Sequence, residues 1–310
     1  MKIKKIIIFA ILLLIPTTKN ALSIKEDLYT NNNGIQMTEK ELINLKNLGF
    51  TNEEIIVMTE DIFEKNKNIE GEILSQTTKY YKTVTSYGGA STYSINQDII
   101  LTYSEEITED EYNNADKDNN QIKGNTNGYT ETNYKKMTTS IIKNGNYYRY
   151  KNDLVWKKMP ATRSYDIQGI GFDTTVSTVP NSKYFNRIAH MENSLSLQCD
   201  YLTSSSGTWQ TSQSGNVVTF LLPSDTSTKE LVGLSSHMYF DVQKLMDITI
   251  ITLNAYGDYK HAQKQVSASV GLNVGYEDGS FQFGASLSLT IVESYDSINI
   301  AQATWSGISW

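Results

Sequence analysis

The stretch Val266-Ser-Ala-Ser-Val-Gly-Leu-Asn-Val-Gly-Tyr276, Glu277-Asp278-Gly279-Ser280, Phe281-Gln-Phe-Gly-Ala-Ser-Leu-Ser-Leu-Thr-Ile291 decides the fold. Val266, Ala268, Val270, Leu272, Val274 and Tyr276 alternate with small or polar residues, and Phe281, Phe283, Ala285, Leu287, Leu289 and Ile291 resume the pattern after the turn. Strict period-two alternation on both sides of an Asp-Gly reversal predicts an antiparallel β-hairpin. The same pattern fits two situations. It is the pattern of a half-buried strand in a soluble sheet. It also fits a membrane-spanning strand, which needs ~9–11 residues with one apolar and one polar face.

Outward from the hairpin, residues after Glu72 are rich in Tyr, Thr, Ser, Val and Ile, which favour pleated surfaces. Strands are expected at Thr77 to Thr85, at Ile99 to Tyr103, and in a hairpin from Ser140 to Trp156 turning at Asn144-Gly145. Val217 to Leu222, closed by Pro223, is a further strand, and Tyr239 to Asn254 forms one long strand or two. Residues 105–128, rich in acids and Asn with Gly124 and Gly128, are expected to form a mobile loop. The fold class is therefore mainly β, an antiparallel sandwich-like domain over 73–310.

A different pattern precedes it. Thr38 with Glu41 and Thr51 with Glu54 have capping-box spacing, and Gly49 stands where a helix would stop. Leu42, Leu45, Leu48, Phe50, Ile55, Ile56, Met58, Ile62 and Phe63 supply an apolar side for short helices over 24–72. This segment is acidic, with eleven acids against five lysines, and is expected to dock as a cap and to serve as a pro-segment. The Leu48-Gly49-Phe50 turn resembles that of ubiquitin-associated domains, a partnership that export argues against.

Residues 1–23 read as a signal peptide: Lys2, Lys4 and Lys5, an apolar run from Ile6 to Ile15, then Ala21-Leu22-Ser23 at a small-x-small site. Cleavage near Ser23 removes four lysines and moves the formal charge from −7 to −11. That balance argues against nucleic acid or anionic lipid as an electrostatically captured partner. Cys199 is the only cysteine, so no internal disulfide forms, and its place beside Leu195, Leu197 and Tyr201 on an apolar face suits a buried structural thiol.

No catalytic, cofactor or metal motif is present. His190, His237 and His261 lie far apart in sequence, and Asp116 to Asn120 begins like a calcium loop but continues with Gln121 and Asn127 where Gly and Glu are required. No Gly-x-Ser-x-Gly elbow occurs, and Ser236 and His237, adjacent on a strand, point to opposite faces. A carboxylate pair in a cleft remains open for a chain with 34 acids. Trp156, Trp209, Trp305 and Trp310 fit a sugar-stacking platform or, more simply, a core.

Several segments resemble the geobacillin-like large bacteriocins secreted by Gram-positive bacteria. These are Leu48-Gly49-Phe50-Thr51-Asn52-Glu53-Glu54-Ile55, Trp156-Lys157-Lys158-Met159-Pro160, Arg163-Ser164-Tyr165-Asp166-Ile167, Gly169-Ile170-Gly171-Phe172 and Tyr256-Gly257-Asp258-Tyr259-Lys260-His261-Ala262. The resemblance implies antibacterial activity against related species and supplies no catalytic residue. The expected function is thus a secreted, non-enzymatic antibacterial protein acting on the bacterial envelope or membrane. Its membrane-contacting residues would be Val266, Val270, Leu272, Val274, Phe281, Phe283, Leu287, Leu289 and Ile291. Since a lone hairpin leaves unsatisfied edges in lipid, insertion demands a homo-oligomeric barrel. The alternative is a non-toxic extracellular module that binds cell-wall glycan.

Overall fold

The computed structural model describes residues 28–88, 99–115, 128–160, 162–191, 194–198, 207–225, 230–245, 249–262, 273–277, 280–284, 296, 298–308 and 310. The signal peptide, Cys199 and the calcium-like start at Asp116 lie outside them.

The chain opens with a small ribbon, β1 (Tyr29–Thr30) and β2 (Gln36–Met37), and three short helices, α1 (Glu39–Asn47), α2 (Asn52–Val57) and α3 (Glu60–Asn66). Both capping boxes form, with Thr38 and Thr51 accepting from the Glu41 and Glu54 backbone amides while those glutamates reach back to the cap. Helix α1 stops at Leu48 because Gly49 takes a φ of +84°. A side chain there would also collide with Ile142 and crowd Lys151, so glycine lets the cap approach the sheet closely.

The β-domain follows: β3 (Gly71–Gly88), β4 (Ile99–Ile107), helix α4 (Glu109–Asn114), β5 (Gly128–Asn144), β6 (Tyr147–Trp156), β7 (Tyr165–Phe172), β8 (Val176–Thr178), β9 (Tyr184–Met191) and β10 (Ser194–Gln198). It continues with β11 (Gly207–Ser212), β12 (Gly215–Leu221), β13 (Leu231–Lys244), β14 (Thr252–Lys260), β15 (Asn273–Glu277), β16 (Ser280–Gly284) and β17 (Ala301–Ser306). One sheet runs β10-β9-β13-β6-β5-β3-β4, with β8 also on β13, and the other runs β11-β12-β7-β14-β17. All pairings are antiparallel. The sequence-based fold class therefore holds: a mainly β, antiparallel sandwich preceded by a small helical segment.

Two expectations need correction. Residues 105–115 are not loop: β4 extends to Ile107, and α4 follows, started by Thr108, whose hydroxyl accepts from the Glu111 amide. The region expected from Tyr239 to Asn254 is two strands, but the first begins at Leu231 and ends at Lys244.

The main core lies between the sheets, built from Trp156, Tyr150, Phe172, Phe185, Phe220, Phe240, Leu154 and their neighbours. A second apolar cluster belongs almost wholly to the cap: Ile35, Met37, Leu45, Leu48, Phe50, Ile55, Met58, Ile62 and Phe63, joined from the sheet by Tyr239. Strand β6 is buried on both sides as a result. Tyr148, Tyr150, Leu154 and Trp156 enter the inter-sheet core, while the alternate residues Arg149, Lys151 and Asp153 point at the cap.

Candidate functional site

The hairpin's described part is β15 paired with β16, in the register Val274↔Phe283 and Tyr276↔Phe281, with Glu277 opposite Ser280. Among the described residues it joins neither main sheet. Val266, Val270, Leu272, Leu287, Leu289 and Ile291 lie outside the described residues, as do the side chains of Val274, Phe281 and Phe283.

The strands that flank the hairpin in sequence, β14 and β17, pair directly with each other from Thr252↔Ser306 to Gly257↔Ala301. The chain therefore leaves the sheet and rejoins it at the same end. Its two feet are fastened together: the His261 amide donates to Asp296 Oδ1 at 2.8 Å, and the Asp296 amide donates to the His261 carbonyl at 2.9 Å. Lys135 of β5, fully buried, donates to Asp296 Oδ2 at 2.6 Å and sits 4.6 Å over the Trp156 ring. Asp166 of β7 completes the cluster. Its Oδ1 lies 3.0 Å from His261 Nδ1 and accepts from the Ala262 amide, and its Oδ2 accepts from Tyr259 Oη.

Electrostatics divide this cluster. Burial pushes Asp296 up, but Lys135 and His261 together outweigh it and hold the carboxyl below its ordinary value. Burial without a close cation pushes Asp258 up to about 6, since Lys260 Nζ stays 3.9 Å away. Burial likewise drives the Tyr259 hydroxyl well above its ordinary value.

A second buried polar cluster joins the cap to the sheet. Lys151 Nζ donates to Glu54 Oε2 at 2.9 Å and to Asp153 Oδ1, and His237 Nδ1 is 2.7 Å from Asp153 Oδ1 and 3.5 Å from Glu54 Oε2. Burial alone would depress Lys151, but Asp153 and Glu54 hold it above the ordinary lysine value; burial would raise Asp153, but Lys151 and His237 hold it down. Ligand atoms of Glu54, Asp153 and His237 lie close enough together to suggest a metal centre. The lysine ammonium already bonds both carboxylates, so the protein supplies the cation.

At the rim, Glu53 Oε2 accepts from Ser235 Oγ at 2.7 Å and faces His190 Nε2 at 3.1 Å, which with Ser235 holds the Glu53 carboxyl down to about 2. Ser, His and Glu meet here, but the carboxylate and the hydroxyl share one imidazole nitrogen. A hydrolytic relay needs them on opposite nitrogens, so the triangle is a clasp between α2 and the β9–β13 pair. Ser236 and His237 do face opposite ways: Ser236 Oγ donates to Gln168 Oε1 at 2.6 Å between the sheets.

The tryptophans do not converge. Trp156 is core, Trp209 and Trp305 sit on β11 and β17 at opposite edges of the five-stranded sheet, and Trp310 is exposed against Tyr148. Sequence reading missed both polar clusters, whose members are up to 183 residues apart in the cap (Glu54 to His237) and carry no shared spacing. The one usable signal was charge inside a strand pattern, as in Arg149, Lys151 and Asp153.

No helix among the described residues is long and apolar enough to cross a membrane, which leaves crossing by strands open. No protein-family model matches the chain. No curated protein sequence matches it either. Among solved structures it is similar to the pilus backbone protein RrgB of Streptococcus pneumoniae, at 8% identity and a TM-score of 0.28 over 54% of this chain and 73% of that one. The N-terminal domain of the Streptococcus gordonii adhesin Sgo0707 gives 9% and 0.28 over 76% and 56%, and the major pilin SpaD of Corynebacterium diphtheriae gives 9% and 0.24 over 74% and 74%. Likeness at this level says nothing about activity.

Proposed function

We propose that the chain is an exported, non-enzymatic antibacterial protein that acts on the bacterial envelope, with the 266–291 hairpin as the part that enters the membrane. One observation supports this above others: β14 and β17 pair with each other, so the five-stranded sheet closes without the hairpin, and β15 and β16 pair only with each other among the described residues. The pair rests against β11, β12 and β7 without adding a strand to either sheet, so it can leave without breaking a sheet ladder. Its two alternating runs, 266–276 and 281–291, match the length that a membrane strand requires. Satisfying their edges in lipid calls for several copies in a closed barrel. Export follows from the N-terminal signal pattern.

The test is Leu272→Asp or Leu287→Asp. Each variant is expected to be secreted and folded while losing killing of Gram-positive cells and dye release from liposomes, because a charge on a lipid-facing strand costs about 2–4 kcal/mol at the midplane for the basic residues and somewhat less for Asp. Unchanged killing contradicts insertion. The competing reading, a non-toxic module that holds wall glycan, predicts retention on purified wall material with no killing by either form.

A further inference from the structure

Lys135 and Asp296 form an ion pair in an unusual setting. Both side chains are buried, at 0% and 2% exposed, and Lys135 Nζ donates to Asp296 Oδ2 at 2.6 Å. By contrast, Lys79–Glu106 and Lys82–Glu105 lie partly in water on the sheet surface, and Lys151 is shared between Glu54 and Asp153. Lys135 bonds one carboxylate among the described residues. The Trp156 and Tyr259 rings face its ammonium, with centroids 4.6 and 5.8 Å from Nζ.

Both partners are held in place. Lys135 stands within the eight-stranded sheet, on β5 between Tyr81 of β3 and Trp156 of β6. Asp296 is fixed by the two bonds it exchanges with the His261 backbone, one of which brings the His261 N–H to Oδ1 at 2.8 Å. The next residue, Ala262, donates its amide to Asp166 Oδ1 at 3.0 Å, which steadies that backbone. Trp156 Nε1 donates to Tyr259 Oη at 2.8 Å and locks the two rings together. The carboxyl carbon of Asp296 therefore lies one bond beyond a short contact, near the ~3–3.5 Å separation of groups poised to react.

We propose that Lys135 and Asp296 condense to an isopeptide bond that joins the eight-stranded sheet to the outgoing foot of the hairpin. One ammonium proton passes to Oδ2 along the existing hydrogen bond, and the freed nitrogen lone pair attacks Cγ. Oδ1 takes the negative charge of the tetrahedral adduct, facing the His261 N–H. A second proton then moves from nitrogen to Oδ2, which leaves as water while Oδ1 closes to the amide carbonyl. Ammonium and carboxylate give amide and water, and the balance calls for no co-reactant. Fixed positions replace a bimolecular encounter, an advantage of ~10⁵–10⁸ M in effective concentration. Burial keeps bulk water from reversing the step, and a neutral amide replaces two charges whose desolvation is costly. The bond links residues 161 apart. In a chain whose single cysteine excludes an internal disulfide, it supplies a covalent staple that reductants do not open.

Intact-mass measurement of the exported chain, counted from its own N-terminus and followed by tryptic mapping, tests the proposal. The expected mass is one water below that of the sequence, with trypsin no longer cutting after Lys135 and one branched peptide carrying both Lys135 and Asp296. Lys135→Arg, which keeps a cation for Asp296, and Asp296→Ala should each show the full mass and separate peptides. Leu272→Asp should carry the same cross-link as the unaltered chain, so failure of the hairpin reading does not touch this result. An unaltered chain of full mass overturns the proposal. So does a missing water that maps to a succinimide at Asp278-Gly279 while the Lys135 and Asp296 peptides stay separate.

Discussion

The two faces of β6 are both buried and are built on opposite principles. Toward the second sheet, Tyr148, Tyr150, Leu154 and Trp156 join a continuous apolar core. Toward the cap, Arg149, Lys151 and Asp153 meet Asn66, Glu54 and His237. Apolar burial is insensitive to pH and demands chiefly fit. Buried ion pairs are roughly neutral in net stability, yet removing one partner is strongly destabilising because the other is left charged and dry. The packing of Tyr150, Leu154 and Trp156 therefore does not titrate, whereas the cap is held both by its apolar cluster, where Phe50 meets Tyr239, and by charges whose protonation matters.

Removing one charge from the cap face is expected to have the largest effect. Lys151→Met strands Glu54 and Asp153 and should lower stability at pH 7 by about 3–5 kcal/mol, read from denaturant unfolding. The loss should shrink below pH 4. Asp153 has a folded pKa below its unfolded one, so its stabilising contribution is present above the unfolded value and disappears as pH falls through the folded one. On the other face, Leu154→Ala should cost about 3 kcal/mol, with the same value at pH 5 and pH 8. If both losses share one pH dependence, the contrast between the faces fails.

Asp258 gives a smaller effect of the opposite sign. Its folded pKa, about 6, lies above the ordinary aspartate value, so the native state is favoured below the unfolded pKa and loses stability as pH rises to about 6. Asp258→Asn keeps an acceptor for the Tyr259 amide, which now bonds Oδ1 at 2.7 Å, and should gain about 1–2 kcal/mol at pH 8 and nothing at pH 3.5. Thr38→Ala removes the α1 cap and should cost about 1 kcal/mol, felt as faster hydrogen exchange in 39–47 rather than in β6. Glu53→Gln should flatten the acid limb of cap exchange between pH 4.5 and 2, the window through which the Glu53 carboxylate loses its hold on His190 and Ser235.

Sequence patterns carried local information well. Alternation placed most strands, the Asn144-Gly145 signal placed the β5–β6 turn where Gly145 has a φ of 56°, and Thr-x-x-Glu spacing located both capped helices. Helix α4 escaped although Thr108 and Glu111 carry the same spacing, because only Tyr112 and Ala115 give it an apolar side. The polar clusters escaped for a different reason. Charges such as Lys135, Lys151 and Asp296 read as solvent-facing until the topology brings their partners from other sheets and from the cap. The close approach of the sheets at Gly257, where a side chain would strike Thr139 and Asn152, was equally illegible.

The central claim is that the sheet does not need the hairpin and the activity does. Replacing residues 263–295 with a short Gly-Ser linker, then measuring thermal unfolding and dye release from Gram-positive cells on the same preparation, tests both halves. The expected result is an unchanged unfolding midpoint with release abolished. A chain that no longer folds, or one that still permeabilises cells, contradicts the account.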